Sequence, residues 1–265
     1  MSSFDEITTW QPDGDGTWSH TVGEDWGQGR AAFGGVQTAA ALRAMRSLVD
    51  PDRTPRTIAT SYIGPLAPTP ATLTARIIRA GRALTSAQAL ITQDGREVAL
   101  FQASFGAPRP SGLRIQPPTR PQRPDPDERP AMPFLPGIIP AFTQKFDYRW
   151  TNGQPPFTGH DTPYLGGWCR HRTPATDGFS TAVALLDAWP APLLPMLTVP
   201  APASTVSWTA AFIDVPEQSP DGWWWLDAEG VTAADGYGTT RGRLFAPDGR
   251  LAAHMEQLVV VFDKR

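Results

Sequence analysis

The chain has 265 residues, room for one large domain or two ordinary ones. Its net charge is −3 and no basic block is present, which argues against nucleic acid or an anionic membrane surface as a partner. A single cysteine, Cys169, excludes an internal disulfide, cannot anchor a zinc site by itself, and favours a reducing, cytoplasmic setting.

The opening residues are polar and acidic, unlike a signal peptide, and no run reaches the ~20 apolar residues that span a membrane. The 29 prolines argue for loops and sheet edges over a helical bundle. Residues 1–28 read as an irregular lead-in with one short strand around 18–22. Asp13-Gly14-Asp15-Gly16 reads as a turn, because the downstream glutamate of a calcium loop is missing. Gly27-Gln28-Gly29-Arg30-Ala31-Ala32 has the spacing of a dinucleotide fingerprint, but no apolar strand precedes it and no βαβ pattern follows.

Residues 29–48 are the stretch the rest is organised around. Gly34-Gly35 opens a helical run in which Ala39, Ala40, Ala41 and Ala44 join Val36, Leu42, Met45 and Leu48. Such small apolar side chains let a helix lie close to other backbones and be buried on most sides. The first N–H groups of a helix lack intrahelical acceptors, and glycines let a ligand approach them. Gly34, Gly35 and Val36 are therefore candidates to hold an anion or an oxyanion. A helix merely packed on a sheet is the plainer reading, and the two are compatible.

Strand-like runs follow at 57–63, 73–78, 84–92 and 98–105. Asp94-Gly95 between the last two is a hairpin signal. A helix followed by an antiparallel meander is an α+β pattern. Residues 107–140 are proline-dense, polar and aperiodic, and read as an extended linker. The pattern then repeats: a strand at 146–150, a second small-residue helix at 178–188, and strands at 205–213, 223–229, 238–245 and 251–262. Residues 90–105 (LITQDGREVALFQASF) lie over residues 244–259 (LFAPDGRLAAHMEQLV), which puts Asp94 on Asp248 and Ala103 on Gln257. We expect three parts: a first unit at 1–108, a linker at 109–140 and a second unit at 141–265.

Several residues invite a chemical reading. Asp187 ends the apolar run AVALLD and is a reasonable general base, although a carboxylate turned to solvent at the helix end is the alternative. Gln257 interrupts an otherwise apolar strand and matches a methyl group in the other half; a solvent-facing glutamine is the alternative. Thr205 alone says little, since threonine suits strands. His20, His160, His171 and His254 show no metal-ligand spacing, so no metal is expected. His254 lies three residues before Gln257 and points to the opposite face of its strand. The absence of a GxSxG elbow argues against an α/β-hydrolase. Consecutive Trp223-Trp224-Trp225 alternate sides of a strand and cannot form one platform.

The sequence resembles the double hotdog acyl-CoA thioesterases of the thioesterase II (TesB-like) family. The residues that carry the resemblance are Phe33-Gly34-Gly35, Ser61-Tyr62-Ile63-Gly64-Pro65, Arg79–Thr85, the Gln93–Arg96 hairpin and Gln102–Phe105 in the first half. In the second half they are Val183–Asp187, Ser204–Ser207 and the Asp248-Gly249-Arg250 hairpin with Gln257 beyond it. The resemblance covers nearly the whole chain except the linker. It implies an α+β double hotdog: two tandem units, each an antiparallel sheet wrapped round a central helix. It implies hydrolysis of a fatty or aryl acyl-CoA by an activated water, with Asp187, Thr205 and Gln257 as the catalytic residues. The only CoA involved is that of the substrate, and no separate cofactor is implied. A homodimer is expected. The sequence departs from the family where Gln257 is followed by Leu258-Val259 rather than Glu-Gly, and at Phe212-Ile213-Asp214, which replaces an aromatic-histidine-arginine end. A hotdog protein that binds acyl-CoA without turning it over is the alternative.

Overall fold

Two helices lie side by side under one long sheet, in a computed structural model that describes residues 2–263. The first half contains α1 (Phe4–Thr8), β1 (Gln11–Gly14), β2 (Thr17–His20), a short pair β3 (Gly27–Gln28) and β4 (Ala31–Ala32), then α2 (Gly34–Ser47), β5 (Thr54–Tyr62), β6 (Ala71–Ala80), β7 (Thr85–Gln93) and β8 (Arg96–Gly106). The second half contains β9 (Phe146–Gly153), β10 (Tyr164–His171), α3 (Gly178–Asp187), β11 (Ala203–Phe212), β12 (Trp224–Ala234), β13 (Tyr237–Phe245) and β14 (Leu251–Val261). Between β8 and β9 the chain is irregular apart from short 3₁₀ turns at Pro126–Glu128 and Ala141–Lys145.

Twelve strands form one sheet in the order β1-β2-β6-β7-β8-β5-β11-β14-β13-β12-β10-β9. The halves meet edge to edge where β5 pairs antiparallel with β11, with Ala59 opposite Thr209 in the middle of the seam. Each half is thus an antiparallel sheet around its own helix, the α+β double hotdog. The two halves even share a defect. The β5–β8 ladder slips between Pro55 and Thr57, and the β11–β14 ladder slips between Thr205 and Ser207. A bulge in the same place re-aims the same side chains in both halves.

The helices are buried because their residues are small. Ala39, Ala41, Ala182 and Ala184 have no exposed surface. A Cβ on Gly35 would lie 3.0 Å from the Ala184 Cα, so α2 and α3 touch backbone to backbone there. They run antiparallel. Arg46 near the end of α2 binds Asp177, the N-cap of α3, at 3.0 Å. At the other end, the start of α2 meets the last residue of α3.

Turn chemistry closes the hairpins. Asp15-Gly16, Asp94-Gly95 and Asp235-Gly236 all have positive φ at both residues, the type I′ signature that suits the twist of antiparallel strands. Asp248-Gly249 differs: only Gly249 has positive φ, and its N–H bonds Ala246 at 2.9 Å. The triple tryptophan splits across the sheet. Trp224 joins the helix-side core, and Trp225 packs with Trp168, Phe245 and Leu251 on the other face, where Arg120 and Arg123 stack on Trp168 and Trp225.

The lead-in is more ordered than its composition implies. It holds α1, closed by a Ser3–Glu6 capping box, and the β1–β2 hairpin. β10 was also missing from the sequence reading. Its run YLGGWCRH shows no alternation because five consecutive residues, Leu165–Cys169, are buried on both faces. Its Cys169 is buried, and burial pushes the thiol pKa well up, so it is an inert core residue.

Candidate active site

Asp187 is the last residue of α3 and turns toward the start of α2. Gly34 has no side chain, and the Asp187 carboxylate and the Tyr62 hydroxyl converge on the place a Cβ would fill. An added Cβ would overlap the hydroxyl and come 2.7 Å from Asp187 Oδ2. Burial raises the Asp187 pKa to about 7, partly offset by the Gly35 backbone N–H, which favours the ionised form. Asp187 is half-buried, and its carboxylate turns in toward Gly34 at the start of α2.

The start of α2 is a bare helix end. Phe33 is the N-cap and supplies no side-chain hydrogen bond. The N–H groups of Val36 and Gln37 both bond the Phe33 carbonyl, at 3.2 and 3.4 Å. The Val36 donor is thus engaged within the first turn. Gly35 serves Asp187. The Gly34 N–H has no protein acceptor among the described residues and stays available.

Thr205 and Gln257 form a second group on neighbouring strands. The Gln257 amide donates to Thr205 Oγ1 at 2.6 Å, and Thr240 Oγ1 donates to Gln257 Oε1 at 3.2 Å. Gln257 shares the inner face of β14 with Met255 and Val259, while His254 and Glu256 alternate outward and are exposed. With its carbonyl and amide both engaged, Gln257 is held in one orientation.

Trp208 joins the two groups. It pairs with Gln257 on one side and with Thr60 across the β5–β11 seam on the other. Its Nε1–H donates to the Tyr62 hydroxyl at 3.1 Å, and that hydroxyl also bonds Thr38 Oγ1 of α2 at 3.0 Å. No direct hydrogen bond links Asp187 to Thr205 or Gln257 among the described residues; the path between them runs through Tyr62 and Trp208. Thr38, Tyr62, Trp208 and Thr240 were not singled out by residue-level reasoning, and only Tyr62 lay in a quoted motif. Thr240 carried no signal like that of Gln257: at the 154-residue offset that sets Gln257 on Ala103 it falls on Ser86, another hydroxyl, and only the ladder register sets it on Ala87.

Pairing the halves by register shows that one site is equipped. Gln257 opposite Thr240 and Trp208 corresponds to Ala103 opposite Ala87 and Ile58. Thr205 at the bulge corresponds to Pro55. Aligning the helix starts Gly34 and Gly178 places Arg43 at the position of Asp187. Arg43 bonds Ser180 at 3.0 Å and Asp5 at 2.5 Å, and the Asp177 side chain caps α3 through the Ser180 N–H at 2.7 Å. The second helix end is closed by protein groups, and the first is not.

A cavity of about 560 Å³ lies elsewhere, over the outer face of β12–β14, with Arg123, Tyr164, Asp227, Arg243, His254 and Glu256 on its walls. Strand alternation puts it across the sheet from Gln257, so the site is defined here by its polar constellation and not by that cavity. Among the described residues no three His, Cys, Asp or Glu side chains cluster as metal ligands, and no helix is long and apolar enough to cross a membrane.

Comparison with known proteins gives the family and the fold. The profile of the acyl-CoA thioesterase N-terminal domain matches residues 22–106, and that of the acyl-CoA thioesterase C-terminal domain matches residues 117–261. A conserved protein of unknown function with a hot dog fold from Alicyclobacillus acidocaldarius superposes with a TM-score of 0.87 at 23% identity, over 100% of each chain. A putative thioesterase II from Thermobifida fusca gives 0.85 at 19% identity, over 99% of this chain and 98% of that one. The acyl-CoA thioesterase II TesB2 of Mycobacterium marinum gives 0.78 at 19% identity, over 99% of each. No curated protein matches the chain.

Proposed function

This chain belongs to the acyl-CoA thioesterase family, and we propose that it hydrolyses a fatty or aryl acyl-CoA by direct attack of a water activated by Asp187. The observation that carries this reading is the geometry of the Asp187 carboxylate, which turns in at the uncapped start of α2 and is linked to the Gln257–Thr205 pair through Tyr62 and Trp208; burial raises its pKa to about 7. A base works best when its pKa lies near the working pH. Asp187 takes a proton from the water as its oxygen attacks the thioester carbonyl. The carbonyl oxygen becomes an oxyanion, held by the Gly34 N–H and the positive end of α2. The C–S bond then breaks, and the thiolate of CoA regains the proton. Thr205 and Gln257, both neutral, orient the water without altering its charge. No acyl-enzyme forms in this scheme. A homodimer in a cytoplasmic setting belongs to the same reading.

The test is thiol release from short, medium, long and aromatic acyl-CoAs, with wild type and Asp187→Asn measured together. Turnover by the wild type and a loss of at least ~100-fold in the variant are expected, since a general base contributes on the order of 10²–10⁴. A folded wild type that binds these acyl-CoAs and releases no thiol is instead an acyl-CoA-binding module.

A further inference from the structure

We propose that Leu193 sets the length of acyl chain this site accepts, by filling the end of a recess carved beside Gln257. This rests on the reading of Asp187, Thr205 and Gln257 as the hydrolytic site. On the inner face of the second half, Gly230 of β12 lies opposite Thr240 of β13, and Thr240 lies opposite Gln257. Gly238 stands two residues before Thr240 on the same face, opposite Val259. Ladder register gives the counterparts in the first half. There Ile77 lies opposite Ala87 and Thr85 opposite Phe105, so Gly230, Gly238 and Val259 take the places of Ile77, Thr85 and Phe105. Both ladders slip at the same point, after Ile77 and after Gly230. All three replacements remove side-chain volume, and all three adjoin the polar group that only this half carries. A glycine inside a strand marks a place where another group comes close to the backbone.

Here that group is Leu193, which enters from the loop after Asp187 and sets one methyl against Gly230 and the other against Gly238. A Cβ on Gly230 would lie 2.5 Å from Leu193 Cδ2. Leu193 is 7% exposed, yet it joins neither of the two apolar cores found among the described residues. Its loop is longer than its counterpart: residues 188–202 connect α3 to β11, whereas residues 48–53 connect α2 to β5. The β9–β10 loop holds it from outside. The Phe157 N–H donates to the Leu194 carbonyl at 2.9 Å, and the His160 N–H to the Pro195 carbonyl at 2.8 Å. Leu193 is therefore a fixed stop. An alkyl chain that runs from a thioester carbon at Gln257 toward Gly238 ends at its methyls. A chain running the other way along β14 meets Met255 and Ala253, which belong to the main core and leave no room. Short acyl groups fit ahead of Leu193, and long ones do not.

The test is the chain-length profile of kcat/KM for straight-chain acyl-CoAs, from acetyl to palmitoyl, in wild type, Leu193→Ala and Gly238→Ala. Leu193→Ala frees the room of about three carbons, so the optimum should lengthen by about two to three carbons. The kcat/KM ratio of those longer chains to the wild-type optimum should rise about tenfold or more, the scale on which an apolar pocket tells one methylene from none. Gly238→Ala puts a methyl into the recess and should shorten the optimum. A leucine that serves packing alone would lower stability and leave both profiles where they are. Calorimetry with non-hydrolysable thioethers of the same chains reads the profile as affinity, without turnover. Binding with no thiol release would overturn the hydrolytic reading and leave the affinity profile to decide on Leu193; a wild type that binds none of the chains overturns both. If Leu193→Ala does not fold, Gly238→Ala decides, because its methyl meets the flexible end of a side chain. Profiles equal to wild type in the folded variants overturn the proposal.

Discussion

Asp187 is the residue on which acidity, stability and the proposed chemistry meet. Its ordinary pKa of 3.8 rises to about 7 in the fold because burial disfavours the charged form. A raised carboxyl pKa means that the folded chain binds more protons than the unfolded one between those two values. Stability from this group is therefore complete below about pH 3.8, falls as pH rises, and is gone above about pH 7. Asp187→Asn removes the slope, and the protein should gain up to a few kcal/mol above pH 7; melting temperatures of both proteins from pH 5 to 8 check this. Turnover should run the other way, with kcat/KM rising through an acid limb near pH 7 in the wild type. Gln257→Leu and Thr205→Val keep the volume of their side chains and remove the polar pair. Each should lower kcat about 100-fold or more, by analogy with the loss of one preorganised polar group, while circular dichroism stays native. A loss confined to KM in these variants would place the pair in binding and not in the chemical step.

At the level of elements, the glycines at the start of α2 set the geometry. Ala is the better helix former by about 1 kcal/mol, so propensity alone would favour Gly34→Ala. Space decides otherwise, because the new methyl would meet the Tyr62 hydroxyl and Asp187 Oδ2. Gly34→Ala should cost at least tenfold in kcat, read in the same thiol-release assay, with little loss of melting temperature if Asp187 and Tyr62 swing aside. Gly35→Ala drives a methyl into the Phe33 ring and the backbone of α3, a core overlap worth about 1–3 kcal/mol, and should show first as a lower melting temperature. Both helices were legible in sequence, since their alanine-rich apolar runs begin at glycine and stand out from the alternating strands around them. The meander and hairpins were legible too, through period-two alternation and Asp-Gly turns. β10 was not, because a strand buried on both faces carries no alternation, and α1 spans only five residues, too short to show a helical period.

On the scale of the whole molecule, duplication has left two helix ends and equipped one. The pseudo-equivalents of Asp187, Thr205 and Gln257 are Arg43, Pro55 and Ala103, and Arg43 is tied into an ion pair with Asp5. A non-hydrolysable acyl-CoA thioether should therefore bind one equivalent per chain by calorimetry, and Ala103→Gln should leave kcat unchanged. Two equivalents would show that the second end also accepts ligand. The amino-acid sequence by itself determined the duplicated α+β plan, the small-residue helices, and the contrast of Gln257 with Ala103, because all of these are local patterns or a comparison of one half with the other. It also placed Asp187, Thr205 and Gln257 on their elements. Only the tertiary structure decided that Asp187 turns inward to Gly34 and Tyr62, that Val36 spends its N–H on Phe33, and that Trp208 and Tyr62 bridge the halves. The physical reason is that periodicity describes one element at a time. Which carboxylate meets which helix end depends on two helices packing antiparallel and on the register of β5 against β11, and neither is written in any single stretch of chain.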